Sequence, residues 1–430
     1  MITREQINEL AQFEDHDCRA LTYYFQPTIP RNKAHKGEAI LTKDLAREAL
    51  HKLENEAVDG NLGGGTGGRA KEKLNAARAD VERIVRLSQD LRGNGVHAKA
   101  VFACSSQGFW REYDLPAQVG GTQLAVSRHF HLKPLAQLLG AFPNLSIALV
   151  DRHRARLFNL RLGELTERMD FFRPLPHRGR GDGFGGYDGG HAERRVADET
   201  RQHFKTVADF LKEAFEKGMF ERWILGCQET QWPQIEAQLH PYVLGRLLGR
   251  FPAEVAYEGA DEIRAQAERI FREWQEKRRH ELVQEAIEQA RANARGATGL
   301  RRVLQSLEAG EVQTMLLGET YHAQAVECRG CGHLDAHLVN RCPACARETR
   351  QVVDVAEAIV PLIIRRNIEL FFVKDDAEFD RVGNIAALLR FRSEQNHNPR
   401  SVSEGRPNAS SSRSEGVVAR PRSSDQRMIL

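Results

Sequence analysis

The chain lacks any long hydrophobic run. Across its 430 residues nothing approaches the roughly 20 consecutive apolar residues that span a bilayer. Its opening, MITREQINELAQFEDHD, is polar and acidic where a secretory leader would be basic and then apolar. These two absences predict a cytoplasmic protein without a membrane partner. Cysteine is sparse: of seven, Cys18, Cys104 and Cys227 stand alone, so no disulfide framework is expected. Net charge is also nearly absent, 62 Lys and Arg against 59 Asp and Glu giving +3, which neither demands nor excludes nucleic acid; only a local patch could decide that. A hydrophobic fraction of 41% with 28% charged residues is that of a soluble globular chain, long enough for two to four domains, and a monomer is expected.

What is present begins with the other four cysteines. In VECRGCGHLDAHLVNRCPACARE, residues 326–348, Cys328-x-x-Cys331 and Cys342-x-x-Cys345 form two knuckles separated by a short arm. That spacing lets two thiolates from each tight turn reach one ion, the pattern of a structural zinc ribbon, and Gly330, Gly332 and Pro343 suit the turns. Paired disulfides or a redox dithiol are the alternatives, although a dithiol needs one pair rather than two and normally sits on a strand-to-helix turn. His333 and His337 lie in the arm and are not assigned as ligands. A closed four-thiolate site leaves no open position for substrate, so its role is structural.

Two stretches are dense in glycine. DGNLGGGTGGR, residues 59–69, has no Gly-Lys-Ser/Thr ending and no preceding strand, and reads as a flexible connection between helices. RPLPHRGRGDGFGGYDGGHAERR, residues 173–195, interleaves Gly185, Gly186, Gly189 and Gly190 with His177, Arg178, Arg180, His191, Arg194 and Arg195. Glycine lets the backbone approach a ligand closely and arginine offers forks to phosphate, so the segment reads either as a loop that docks on RNA backbone or as a surface loop with no role.

Periodicity divides the chain into an α/β (α+β) multidomain protein. Residues 1–142 form an N-terminal α/β unit, and 143–258 a mixed sheet flanked by helices. In the latter, a hairpin over 145–167, a helix over 192–217, a strand over 220–229 and short helices over 233–239 and 242–248 are expected. Residues 259–298 read as a charged, solvated linker helix without a sustained heptad, 299–392 as an alternating α/β unit interrupted by the ribbon 326–348, and 393–430 as a disordered tail.

The third unit carries a family resemblance. GLRRVLQSLEAGEVQTMLLGE, the CRGC and CPAC knuckles, NIELFFV and VGNIAALLRFR are similar to the third domain of the archaeo-eukaryotic class I release factors and of Pelota, most of all in the bacterial branch; ALTYYFQP and GVHAKAVFACSS fit its first domain in outline. The resemblance implies an L30e-like C-terminal domain with a zinc minidomain and an RNase H-like middle domain bearing a loop that reaches the peptidyl-transferase centre. Two signatures are missing. Where release factors end that loop in Gly-Gly-Gln, this chain has Gly185-Gly186-Tyr187 and Gly189-Gly190-His191; where they carry Asn-Ile-Lys-Ser, it has ILTKDLAREAL.

The resemblance therefore implies ribosome rescue or peptidyl-tRNA release without codon-specific termination. Gly189, Gly190 and His191 would sit at the chemical end, since a histidine titrating near 6.5 can serve as general base. Arg178, Arg180, Gly185, Gly186, Arg194 and Arg195 would touch RNA. Implied partners are the ribosome, its rRNA, tRNA or peptidyl-tRNA, and a GTPase or ATPase. A non-catalytic ribosome- or RNA-binding protein that recruits a partner is the second reading. A nuclease using Asp151, Asp182 and Asp188 with Mg2+ is the third, weakened because Asp182 and Asp188 fall on a loop rather than on a sheet.

Overall fold

A computed structural model describes residues 2, 4–15, 19–27, 36–58, 67–91, 98–115, 120–141, 145–161, 163–172 and 188–393; for 4, 36, 55–58, 67–70, 170–172 and 188–193 only the backbone is described. The glycine-rich segment 59–66 and the tail from 394 onward lie outside these residues.

The first sheet follows helix α1 (Arg4–Gln12). Its strands are β1 (Ala20–Phe25), β2 (Ala98–Cys104), β3 (Phe109–Leu115) and β4 (Gln123–Ser127), with helices α2 (Lys36–Val58) and α3 (Gly67–Asp90) between β1 and β2. The order is β3-β2-β1-β4, antiparallel throughout. Strand β1, ALTYYF, is buried at every position because it is covered on both sides, which is why it reads as an unbroken apolar run rather than as an alternation. Leu21, Tyr23 and Phe25 meet Ala46, Ala49 and Leu53 of α2 and Val81 and Ile84 of α3. Ala20 and Tyr24 belong to a second core on the opposite face.

After α4 (Lys133–Ala141) comes the middle sheet: β5 (Leu145–Val150), β6 (Arg154–Arg161), β7 (Glu164–Phe172), helix α5 (Asp188–Glu216), β8 (Arg222–Gly226), the short helices α6 (Trp232–Glu236) and α7 (Pro241–Leu244), and β9 (Leu247–Phe251). Strand order is β7-β6-β5-β8-β9, antiparallel from β5 to β7 and parallel from β5 through β8 to β9. Two sequence expectations need correction. The hairpin is a three-strand meander, because β7 pairs with β6 from Glu164 to Phe172. The helix expected over 242–248 stops after one turn at Leu244, and the chain continues as β9; Val243, Leu244, Leu247 and Leu248 fit a helical period, but Leu247 pairs with Trp223 of β8. Gly226 on β8 is fixed by close approach: a Cβ there would lie 2.4 Å from Leu149 Cδ2 and 2.9 Å from Phe251 Cζ.

Helix α8 (Ala260–Arg291) is not the solvated linker that its charge suggests. Ile263, Ala267, Ile270 and Phe271 pack under the middle sheet with Ile147, Leu149 and Ile224. Leu282, Val283, Ala286 and Ile287 pack with Leu316, Ala386 and Leu388 of the next sheet. At about 100° per residue the two sets point to nearly opposite sides of the helix. No single apolar stripe runs its length, which explains the missing heptad.

The third sheet comprises β10 (Gly296–Thr298), α9 (Leu300–Glu308), β11 (Val312–Gly318), then the small strands β12 (Ala325–Cys328), β13 (Leu334–Asp335) and β14 (Thr349–Val352), α10 (Val355–Arg365), β15 (Glu369–Val373), α11 (Ala377–Arg381) and β16 (Ile385–Leu389). Its main order is β10-β16-β11-β15, with β15 parallel to β11, while β13-β12-β14 form a separate three-stranded sheet. The second face of the first sheet shares one core with this unit: Leu10 of α1, Phe102 and Leu135 cluster with Val303, Met315 and Ile359.

Candidate functional site

The two knuckles bring four sulfurs together. All Sγ atoms of Cys328, Cys331, Cys342 and Cys345 lie within 4.8 Å of one another, with Cys328–Cys345 at 3.3 Å and Cys331–Cys342 at 3.7 Å, and all four cysteines are free. A four-coordinate ion with bonds of about 2.3 Å needs sulfurs about 3.8 Å apart, so the donor set fits a tetrahedral metal. The turns favour thiolate. The amides of Gly330 and Cys331 donate to Cys328 Sγ at 3.3 and 3.4 Å, and the amide of Ala344 donates to Cys342 Sγ at 3.4 Å.

Burial pulls the Cys328 thiol up, but those amide donors and the neighbouring thiols outweigh it and bring it to about 6. The His333 amide favours the Cys331 thiolate, yet the adjacent sulfurs push that thiol up to about 12. Four thiolates this close would repel one another, and a cation among them would relieve that repulsion. The histidines of the arm point elsewhere: His333 Nδ1 lies 2.7 Å from Glu308 Oε1, and His337 Nδ1 lies 3.0 Å from Asp335 Oδ1.

A buried ion cluster ties this ribbon to the first sheet. Glu327, next to Cys328, has a side chain only 5% exposed. Arg128, just past β4, lies 3.1 Å from its Oε1 and also pairs with Glu14; Arg350 of β14 donates to Oε2 at 3.1 Å; His129 Nε2 is 3.8 Å away. Burial would raise the Glu327 carboxyl, but His129 and the two guanidinium groups hold it at about 2. Sequence reading missed this cluster, since Arg128 and Glu327 are 199 residues apart and no local pattern joins them.

The arginine- and glycine-rich stretch is placed only in part. Strand β7 ends at Phe172 and α5 starts at Asp188, so Arg178, Arg180, Gly185 and Gly186 lie outside the described residues. Gly189, Gly190 and His191 are not in the loop but in the first turn of α5, a correction to the expected 173–195 loop. Each helical glycine costs about 1 kcal/mol relative to alanine, which is why sequence reading started the helix at Ala192; the buried face of Phe204, Val207 and Leu211 carries the longer helix. Arg194 and Arg195 are exposed on α5, with Arg195 Nε 3.6 Å from Glu199 Oε1.

Asp151 is committed to the β5–β6 turn, its Oδ1 accepting from the amides of His153 at 2.9 Å and Arg154 at 2.7 Å. Asp182 lies outside the described residues, and of Asp188 only the backbone is described. Among the described residues, the four cysteines are the one group arranged to hold a metal, and no helix is long and apolar enough to cross a membrane.

The bacterial archaeo-eukaryotic release factor family 10 matches residues 131–272, from α4 through the middle sheet into α8. Peptide chain release factor subunit 1 of Pyrococcus abyssi (strain GE5 / Orsay) is 25% identical over 295 residues, 61% of this chain and 70% of that protein. Its counterpart from Thermococcus onnurineus (strain NA1) is 24% identical over 294 residues, again 61% and 70%. The crystal structure of Archaeoglobus fulgidus Pelota aligns over 69% of this chain and 80% of that one at 14% identity, with a TM-score of 0.30, too low for a residue-level comparison. The chain is thus similar to the bacterial archaeo-eukaryotic release factors through its middle sheet, over residues 131–272, and to archaeal peptide chain release factor subunit 1 over 61% of its length.

Proposed function

We propose that this protein is a ribosome-associated factor that enters the A site and promotes rescue or peptidyl-tRNA release without reading a stop codon. The observation that carries the reading is its relation to peptide chain release factor subunit 1 over 61% of the chain, combined with an arginine- and glycine-rich stretch where release factors carry Gly-Gly-Gln. We read residues 143–258 as the RNase H-like domain, supported by the order β7-β6-β5-β8-β9 with an antiparallel meander beside parallel β8 and β9. Residues 1–142 and 299–392 are read as the release-factor-like N-terminal domain and the L30e-like domain. Segment 173–187 and the first turn of α5 then form the end directed at peptidyl-tRNA, with Arg178, Arg180, Gly185, Gly186, Arg194 and Arg195 on RNA and His191, after Gly189-Gly190, as the base. The ribbon is read as a structural Zn2+ site on Cys328, Cys331, Cys342 and Cys345; one equivalent of zinc per chain by mass spectrometry, lost in C328S/C342S, is the expected result.

The test is release of labelled peptide from stalled ribosomal complexes by the wild type, H191A and G190A. On the catalytic reading both variants drop by roughly 10²-fold or more while co-sedimentation with ribosomes persists. Unchanged release by H191A removes the catalytic role. The non-catalytic reading, in which the third domain recruits a GTPase or ATPase to ribosomes, is favoured by the missing glutamine, and under it the wild type binds ribosomes without releasing peptide.

A further inference from the structure

The middle sheet carries a second group of arginines, at the end away from the glycine-rich stretch. Arg222 opens β8 opposite Leu145, the first residue of β5. Arg246 immediately precedes β9, and its carbonyl accepts from the amide of Trp223 at 3.2 Å, so the two arginines lie at the same end of neighbouring strands. The glycine-rich segment leaves from Phe172, whose partner Arg154 lies beyond the other end of β5, on the order of 20 Å away at about 3.3 Å per residue.

Each of these two cations lies near an aromatic ring, one from each of the helices that flank the sheet. The Arg222 guanidinium lies 5.0 Å from the Trp274 ring of α8, and that of Arg246 lies 5.8 Å from the Phe215 ring at the end of α5. Arg278 is one helical turn beyond Trp274, so it shares that face of α8. Among the described residues no carboxylate is within salt-bridge distance of Arg222 or Arg246, and Arg278 has only Glu281 at 3.7 Å, a weak half-exposed pair. Burial first, and then the charge of Arg246, hold Arg222 below its usual range; Arg278 adds to this while Glu369 and Glu221 oppose it.

A guanidinium held near an aromatic ring keeps its in-plane N–H donors available to an anion, and an anion shared between like-charged arginines offsets their repulsion. Three arginines drawn from β8, the residue before β9 and α8 offer separate donor sets, which suit a repeating anion. We propose that Arg222, Arg246 and Arg278 form a second RNA-backbone contact, a cradle for consecutive phosphates at the end of the middle sheet remote from the glycine-rich stretch. That the RNA is ribosomal rests on the function proposed above; that the cradle takes phosphodiester backbone does not.

The test measures binding of the full chain to a fluorescein-labelled A-form RNA hairpin by anisotropy between 50 and 300 mM KCl. R222Q/R246Q should weaken binding roughly tenfold and lower the slope of log K against log salt by about 1.5, two phosphate contacts at about 0.7–0.9 each. R246Q/R278Q, which leaves the Arg222–Trp274 contact in place, should do the same with an unchanged melting temperature, and R246K/R278K should restore most of the slope. Unchanged affinity and slope in both glutamine variants would overturn the cradle. So would retained RNA binding with lost binding of poly-glutamate, which would assign the patch to an acidic protein. Ribosome co-sedimentation of the wild type is scored in parallel. Its failure would fell the proposed function and leave the hairpin result standing.

Discussion

Glu327 is the residue on which the ribbon's attachment depends. Its carboxylate is nearly inaccessible and faces Arg128, which is 7% exposed, together with Arg350. Replacing one member of a buried ion cluster leaves the others charged and desolvated, typically at 3–5 kcal/mol. E327Q should therefore lower stability by about 3 kcal/mol in denaturant unfolding while metal content stays that of the wild type, separating its role from that of the adjacent Cys328. His131 makes a different prediction. Burial pushes its pKa down to about 4; Nδ1 lies 3.4 Å from Glu357 Oε1 without hydrogen-bond geometry, with Asp354 and Lys133 nearby. Because the unfolded imidazole binds its proton near 6.5, the stability from the neutral folded form is present above pH 6.5 and is lost as pH falls toward 4, by at most about 3 kcal/mol. Glu357, held above the usual carboxylate range by burial, works in the opposite sense and trims that loss. Denaturation midpoints between pH 7 and 4 should fall in the wild type and stay flatter in H131Q.

At the scale of elements, α8 joins two sheets by nearly opposite faces, and Gly296 shows how tightly its end is held. A Cβ on Gly296 would sit 2.4 Å from the amide nitrogen of Ala290 and 2.5 Å from the carbonyl oxygen of Ala286, both backbone of α8. Backbone cannot rotate aside as a side chain can, so G296A should destabilise by at least about 2 kcal/mol, read from chemical denaturation. The same helix shows what sequence carries and what it does not. The gathering of four cysteines was legible because metal geometry dictates Cys-x-x-Cys spacing, and strands such as β11 were legible because they are short apolar runs between turn residues. The linker reading of α8 failed because each buried set is too brief to establish a period, and the partners that bury it come from separate sheets. Strand β9 was hidden because LLGRF at a sheet edge is only partly buried and continues a helical spacing. The Arg128–Glu327 cluster and the Arg222–Arg246 patch had no sequence signal, since each exists only after distant strands pair.

For the whole molecule, α8 acts as the mechanical coupling between the middle and third sheets. Lys277 is exposed at its centre, between the two buried sets. Proline there removes a helical hydrogen bond and costs about 3 kcal/mol or more, so K277P should convert a single thermal transition into two by calorimetry. The core shared by the first and third sheets has a further consequence, for synthesis. Phe102 and Leu135 wait for Met315, Ile359 and Leu389 to complete their surroundings. Leu389 leaves the ribosome roughly 250 residues after Leu135, which at about 5–20 residues per second is on the order of 10–50 s. Through that interval the nascent chain exposes one apolar face of its first sheet. A protein proposed to service stalled ribosomes thus has a slow, chaperone-accessible window in its own translation.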